Sequence, residues 1–167
     1  MDDPNDTGPQ TPPGPQTLEA GEFVLKDAAG RVGARLGMSP AGPRLVLYGE
    51  SGKPRAALSV VGEKPGLLLE DASDKVRVAL GVGDNEPYFV FEDASGKTRA
   101  TLGFADNGPF LGLRDASGTP RAVLGFGNNN EPCLYFYDAK GKPRAFLARI
   151  SHQVSVQRDW GAEIGQV

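Results

Sequence analysis

Two side-chain series recur along this chain at a spacing that could carry chemistry. Five aspartates stand at equivalent places, Asp27, Asp71, Asp93, Asp115 and Asp138. Five arginines follow the same rhythm: Arg55, Arg77, Arg99 and Arg121 are each 22 residues apart, and Arg144 comes 23 later. A ladder of carboxylates could hold calcium or exchange protons, and a stripe of guanidinium groups could hold an anion. Calcium, however, needs several oxygen ligands gathered in one loop, and each segment here opens on one aspartate with alanine beside it. Such an aspartate is better suited to capping a turn through the backbone two residues on. For the arginines, the pattern predicts surface pairs across a hairpin, Arg77 with Glu70 and Arg99 with Glu92, although Arg121 then meets Arg114. An exposed ladder of Arg55, Arg77, Arg99, Arg121 and Arg144 is the alternative.

Nothing else in the chain builds a reaction centre. His152 and Cys133 are the sole histidine and cysteine and lie in different segments, with no nucleophile motif near either. The glycines fall at the repeat period, not in phosphate-loop spacing. The sequence therefore predicts a protein that is not an enzyme, with no catalytic, cofactor-binding or metal-binding residues. A net charge of -3 lacks the basic footprint of a nucleic-acid binder. A single cysteine allows no intrachain disulfide. No apolar run nears the roughly 20 residues that span a bilayer, and no basic-then-apolar leader is visible. Neither a nucleic-acid partner nor a membrane span is expected, while cell surface, virion and cytoplasm all remain open as locations.

The elements that place these residues are repeats. Residues 1–21, rich in Pro, Gly, Asp and Thr and nearly free of apolar side chains, read as a disordered arm. From 22 to 150 the chain divides into six units, beginning at Glu22, Pro43, Pro65, Pro87, Pro109 and Pro132. Each reads as two short strands with period-two apolar residues, joined at Asp-x-x-Gly. Asp74 replaces the turn glycine in the third unit, Gly49 replaces the turn aspartate in the second, and Gly33 replaces the arginine in the first. Residues 151–167 break the period. There "QVSVQ" predicts one more strand, and Trp160 is expected to help it cap the open end.

The phrase "YDAKGKPRAFL" at 137–147, with its siblings, resembles the β-hairpin repeats of bacterial surface and toxin-shell proteins, the YD-repeat type. It is also similar to tandem Asp-x-x-Gly-Lys-x-Arg-Ala-x-Leu-Gly units of uncharacterised bacterial proteins. The resemblance covers residues 22–150 and implies an elongated β-structure without intrinsic catalysis. It supplies no site residues.

One two-stranded unit cannot bury its apolar face, whereas stacked copies share a core. Leu47, Leu69, Phe91, Leu113 and Phe136 are predicted to form one buried stripe with Leu58, Leu80, Leu102, Leu124 and Leu147, the other face being wet. Such a core is thin. It closes either by the chain coiling as a β-solenoid or by several copies packing as a triangular β-prism, a parallel homotrimer being favoured. The fold class is accordingly all-β, an elongated array of six repeats of about 22 residues. The function it suggests is structural and self-assembling: a fibre, shaft or surface spacer. A glycan- or protein-binding β module, such as a β-trefoil lectin, is the other reading.

Overall fold

The computed structural model describes residues 17–158 except 85, 107, 128, 129, 151 and 152; from 149 onward it describes the backbone alone. The arm up to residue 16, His152 and Trp160 lie outside the described residues. Thirteen strands follow one another: β1 (Glu22–Lys26), β2 (Val32–Ser39), β3 (Gly42–Tyr48), β4 (Pro54–Val61), β5 (Lys64–Glu70), β6 (Val76–Gly83) and β7 (Glu86–Glu92). They continue as β8 (Thr98–Ala105), β9 (Gly108–Arg114), β10 (Pro120–Phe126), β11 (Pro132–Tyr137), β12 (Pro143–Ile150) and β13 (Gln153–Arg158). All belong to one antiparallel sheet whose spatial order is the sequence order. No helix occurs among the described residues. The array is all-β and elongated, and it stays open: β1 does not pair with β13, so the chain forms no closed trefoil barrel. Nor does it coil as a solenoid, because each strand pairs only with its neighbours in sequence. The predicted terminal strand is present as β13, paired with β12 from Ala145↔Arg158 to Ile150↔Gln153.

Two kinds of turn alternate, and the residues explain both. Within a unit, five residues connect the strands. In the turn after β7, Asp93 N–H donates to Lys97 O at 2.9 Å and Gly96 N–H to Asp93 O at 2.9 Å. Gly96 takes φ 77°, the left-handed conformation that closes a type I turn with a bulge, and the register slips there between Phe91 and Glu92. Asp74 does the same at φ 60° without being glycine. Between units, a two-residue link suffices, as from Val61 to Lys64. The Asn-rich insertion changes one such link into the longer kind. Gly127 N–H now donates to Glu131 O at 2.9 Å, and Asn130 holds φ 57°.

The pairing register sorts side chains into columns that run across the sheet. On one face, a central column passes from Phe23 through Leu36, Leu45, Leu58, Leu67 and Leu80, and on to Leu147. Beside it runs a column near the Asp-x-x-Gly turns that alternates large and small: Leu47, Ala56, Leu69, Val78, Phe91, Ala100, Leu113, Ala122, Phe136, Ala145. The column on the other flank alternates in the opposite sense, with Pro43, Val60, Pro65, Val82, Pro87, Phe104, Pro109, Phe126 and Pro132. The predicted stripe is thus continuous.

Its burial is a correction to the sequence reading. Leu58, Leu80 and Leu102 are 53%, 47% and 52% exposed, whereas the three buried apolar side chains among the described residues, Val46, Ala57 and Cys133, all lie on the opposite face. That second face, expected to be wet, also carries Leu68, Ala79, Val90 and Val123, interleaved with glycines. Tyr88 lies across Gly81. A methyl placed at Gly81 would stand 2.7 Å from the Tyr88 hydroxyl oxygen and 2.9 Å from Pro65 O. Rings laid over glycines shield the backbone on this face. Among the described residues, no second layer covers the large apolar side chains of the first face, which meet only neighbours in the sheet, as Phe89 meets Phe91.

Candidate functional site

Each recurrent aspartate spends both carboxylate oxygens locally. In the turn after β9, Asp115 Oδ1 accepts from the backbone N–H of Ser117 at 2.9 Å and of Thr119 at 3.1 Å, and from Ser117 Oγ at 2.5 Å. Its Oδ2 lies 3.3 Å from Arg121 Nη1. Asp27, Asp71, Asp93 and Asp138 repeat the arrangement, Oδ1 on the turn backbone and Oδ2 on an arginine. These hydrogen bonds favour the ionised form. The Ser117 hydroxyl first, then the turn N–H groups and Arg121, push Asp115 down to about 2, while Ser95 leads the same lowering at Asp93. No group of three or more metal-ligating side chains occurs among the described residues. The aspartates cap turns.

The arginines are not partnered as the sequence predicted. Glu70 stands opposite Val76 and Glu92 opposite Thr98, because the bulge displaces the register by one residue. Arg77 instead grips Asp71 of its own turn through Nε at 2.7 Å, and also donates to the backbone O of Asp93 in the next turn. Arg99 bridges Asp93 and Arg114 O (3.0 Å to the carbonyl), and Arg121 bridges Asp115 and Tyr137 O (3.0 Å). Arg144 Nε lies 2.9 Å from Asp138 Oδ2. The ladder of Arg55, Arg77, Arg99, Arg121 and Arg144 therefore runs along one edge of the array, and its first four members each join one hairpin to the next. An arginine fork holds five donors in one rigid plane and so meets a carboxylate and a carbonyl together in a fixed geometry that a lysine's rotatable ammonium does not impose.

Two sequence irregularities compensate for one another. With Gly49 in the aspartate's place, Arg55 lacks the turn-opening aspartate that Asp71 gives Arg77. It reaches Asp74 Oδ1 at 3.1 Å instead, and Lys53 joins the same carboxylate. Asp74 is the residue that replaced the turn glycine. The third irregularity is uncompensated. At Gly33 no side chain bridges the first two turns, and a cavity of about 760 Å³ opens there, lined by Asp27, Arg31, Gly33, Tyr48, Gly49 and Glu50 among others. Asp27 is held by Arg31 of its own turn at 2.7 Å.

Besides this edge, the apolar first face is the feature a partner would meet. From β1 to β11 no column position on it carries a charge, and in β12 and β13 the register sets Arg149 and Arg158 in the flanking columns. No protein-family model and no curated protein matches the chain. No helix among the described residues is long and apolar enough to cross a membrane.

Proposed function

We propose that the chain is a non-catalytic structural module that assembles with copies of itself, three arrays packing their apolar faces around a common axis to form a shaft or spacer. The observation carrying this reading is the apolar face with its exposed leucines, uncharged from β1 to β11. Apolar patches beyond a few hundred Å² are seldom left open on soluble monomers. This one is far larger, since thirteen strands about 4.8 Å apart carry it for roughly 55–60 Å. The turn chemistry supports the same reading: carboxylates and guanidinium groups in registers that elsewhere do chemistry are consumed in holding one turn to the next.

Light scattering on the full chain tests it. The expected mass is three times 17.6 kDa, and a monomer over the micromolar range would overturn the proposal. The double variant Leu80→Asp, Leu102→Asp is expected to lose both assembly and solubility, because each aspartate places a charge in the desolvated seam. A folded double variant that assembled like the parent would count equally against it.

A further inference from the structure

The two flanking columns of the apolar face are complementary to each other, strand by strand. In β8 the flank near the Asp-x-x-Gly turns is Ala100 and the far flank is Phe104; in β10 they are Ala122 and Phe126. In β6, where the near flank grows to Val78, the far flank shrinks to Val82. The odd strands invert the order, as in β9 with Leu113 near and Pro109 far. In β4, with Ala56 and Val60, the flanks are filled less, and in β12 they are Ala145 and Arg149.

Nothing inside one chain requires this compensation. Ala100 and Phe104 are about 13 Å apart along a strand that rises about 3.3 Å per residue. They share no recorded cross-strand partner, Ala100 facing Phe91 and Leu113 while Phe104 faces Pro109. The requirement arises if a strand meets its own equivalent in another copy. Rotation about an axis parallel to the array keeps equal strands at equal height and sets the near flank of one copy against the far flank of the next, a heterologous contact that closes into a ring.

We infer that the partner of the apolar face is a second copy of this chain related by such a rotation, each copy's Phe104 and Phe126 seated over Ala100 and Ala122 of its neighbour. This rests on the self-assembly proposed above and specifies which side chains select the partner and its level. The area suits it. A stripe roughly 55–60 Å long and about 15 Å wide offers on the order of 900 Å² per copy, against about 800 Å² per partner in a standard stable interface. A larger residue on one flank clashes, and a smaller residue on the other leaves a gap, unless both change together.

The test is a volume swap read by light scattering across a dilution series. Ala100→Phe and Phe104→Ala are each expected to raise the dissociation concentration at least 10-fold. The double variant Ala100→Phe, Phe104→Ala is expected to return to within about 3-fold of the parent, since sites this distant and without shared partners are otherwise additive. Far-UV circular dichroism of each variant checks that strands persist. A second measurement uses Ala100→Cys with Phe104→Cys in a Cys133→Ala background. The two thiols are too far apart to bridge within a chain, so oxidation is expected to give a covalent ladder ending at three chains, and either single cysteine none. A ladder ending at two keeps the flank pairing and overturns the three-copy ring. Effects that simply add in the swap, or no ladder from an assembled protein, overturn the flank pairing and leave self-assembly standing. A parent protein that is monomeric overturns both.

Discussion

Arg55 Nη1 of the second hairpin lies 3.1 Å from Asp74 Oδ1 of the third, so a carboxylate standing where a turn wants glycine serves a turn that lacks the opening aspartate. Restoring either position alone to the repeat's common residue should therefore not help. Asp74→Gly relieves the left-handed backbone but strips Lys53 and Arg55 of their partner. Gly49→Asp with Asp74→Gly rebuilds the usual turn twice over. The expected result is a melting temperature for the double variant about 2–4 °C above that of Asp74→Gly. Equal melting temperatures for those two proteins would show that the two sites are uncoupled.

Gly33 makes the opposite prediction. Its φ is not in the left-handed region, and a Cβ there has only Leu25 O within contact range, at 3.9 Å. Gly33→Arg should reach across the cavity toward the second turn, as Arg99 does toward Arg114, and raise the melting temperature by about 2–4 °C. Gly33→Ala controls for the loss of glycine's unfolded-state freedom. If alanine raised it as much as arginine, the bridge would not be the cause.

Acid should act through the turn aspartates. Asp27, Asp71, Asp74, Asp84, Asp93, Asp115 and Asp138 are all held below their ordinary value, Asp115 at about 2. A carboxylate whose folded value is depressed stabilises the fold above its unfolded value and loses that contribution as pH falls through the folded one. Stability to urea should be level above about pH 4 and decline from there toward pH 2. Asp115→Asn, which cannot ionise, should make the decline shallower. An unchanged slope would remove Asp115 as a contributor.

On the second face, Gly81 is the sensitive position. Gly81→Ala forces a methyl against the Tyr88 hydroxyl and Pro65 O, and should cost about 1–3 kcal/mol by chemical denaturation. At Gly66 the same methyl meets only Leu80 O at 3.6 Å, so Gly66→Ala should cost less. Similar losses at both sites would mean that glycine flexibility, not the close approach of Tyr88, governs this face.

The strands and turns were legible because each carries its own local signal: alternation at Leu67 and Leu69, then Asp71 and a left-handed Asp74. Facing was not legible. Alternation defines two faces without saying which is covered, and here the second also holds the buried Val46 and Ala57, with rings such as Tyr88 laid over its glycines. The arginine partners were hidden for a different reason. A bulge of one residue at Phe91/Glu92 moves Glu92 opposite Thr98, and the carbonyl that Arg99 finds is that of Arg114 at the end of β9, 15 residues away in sequence. The apolar columns' opposed alternation could have been read from Ala100 and Phe104 directly, had the flanks been compared within a strand instead of along the stripe.

Because the sheet's spatial order is its sequence order, the molecule has a length that is written in its gene. Inserting one further unit of about 22 residues adds two strands and close to 10 Å of reach, at about 4.8 Å per strand, without asking any existing pair to change partners. Deleting one subtracts the same. Recombination between kindred phrases such as those at 69–82 and 91–104, which agree at 8 of 14 positions, would thus yield a graded set of rods. Dimension, in such a protein, is a quantity that mutation can adjust in even steps.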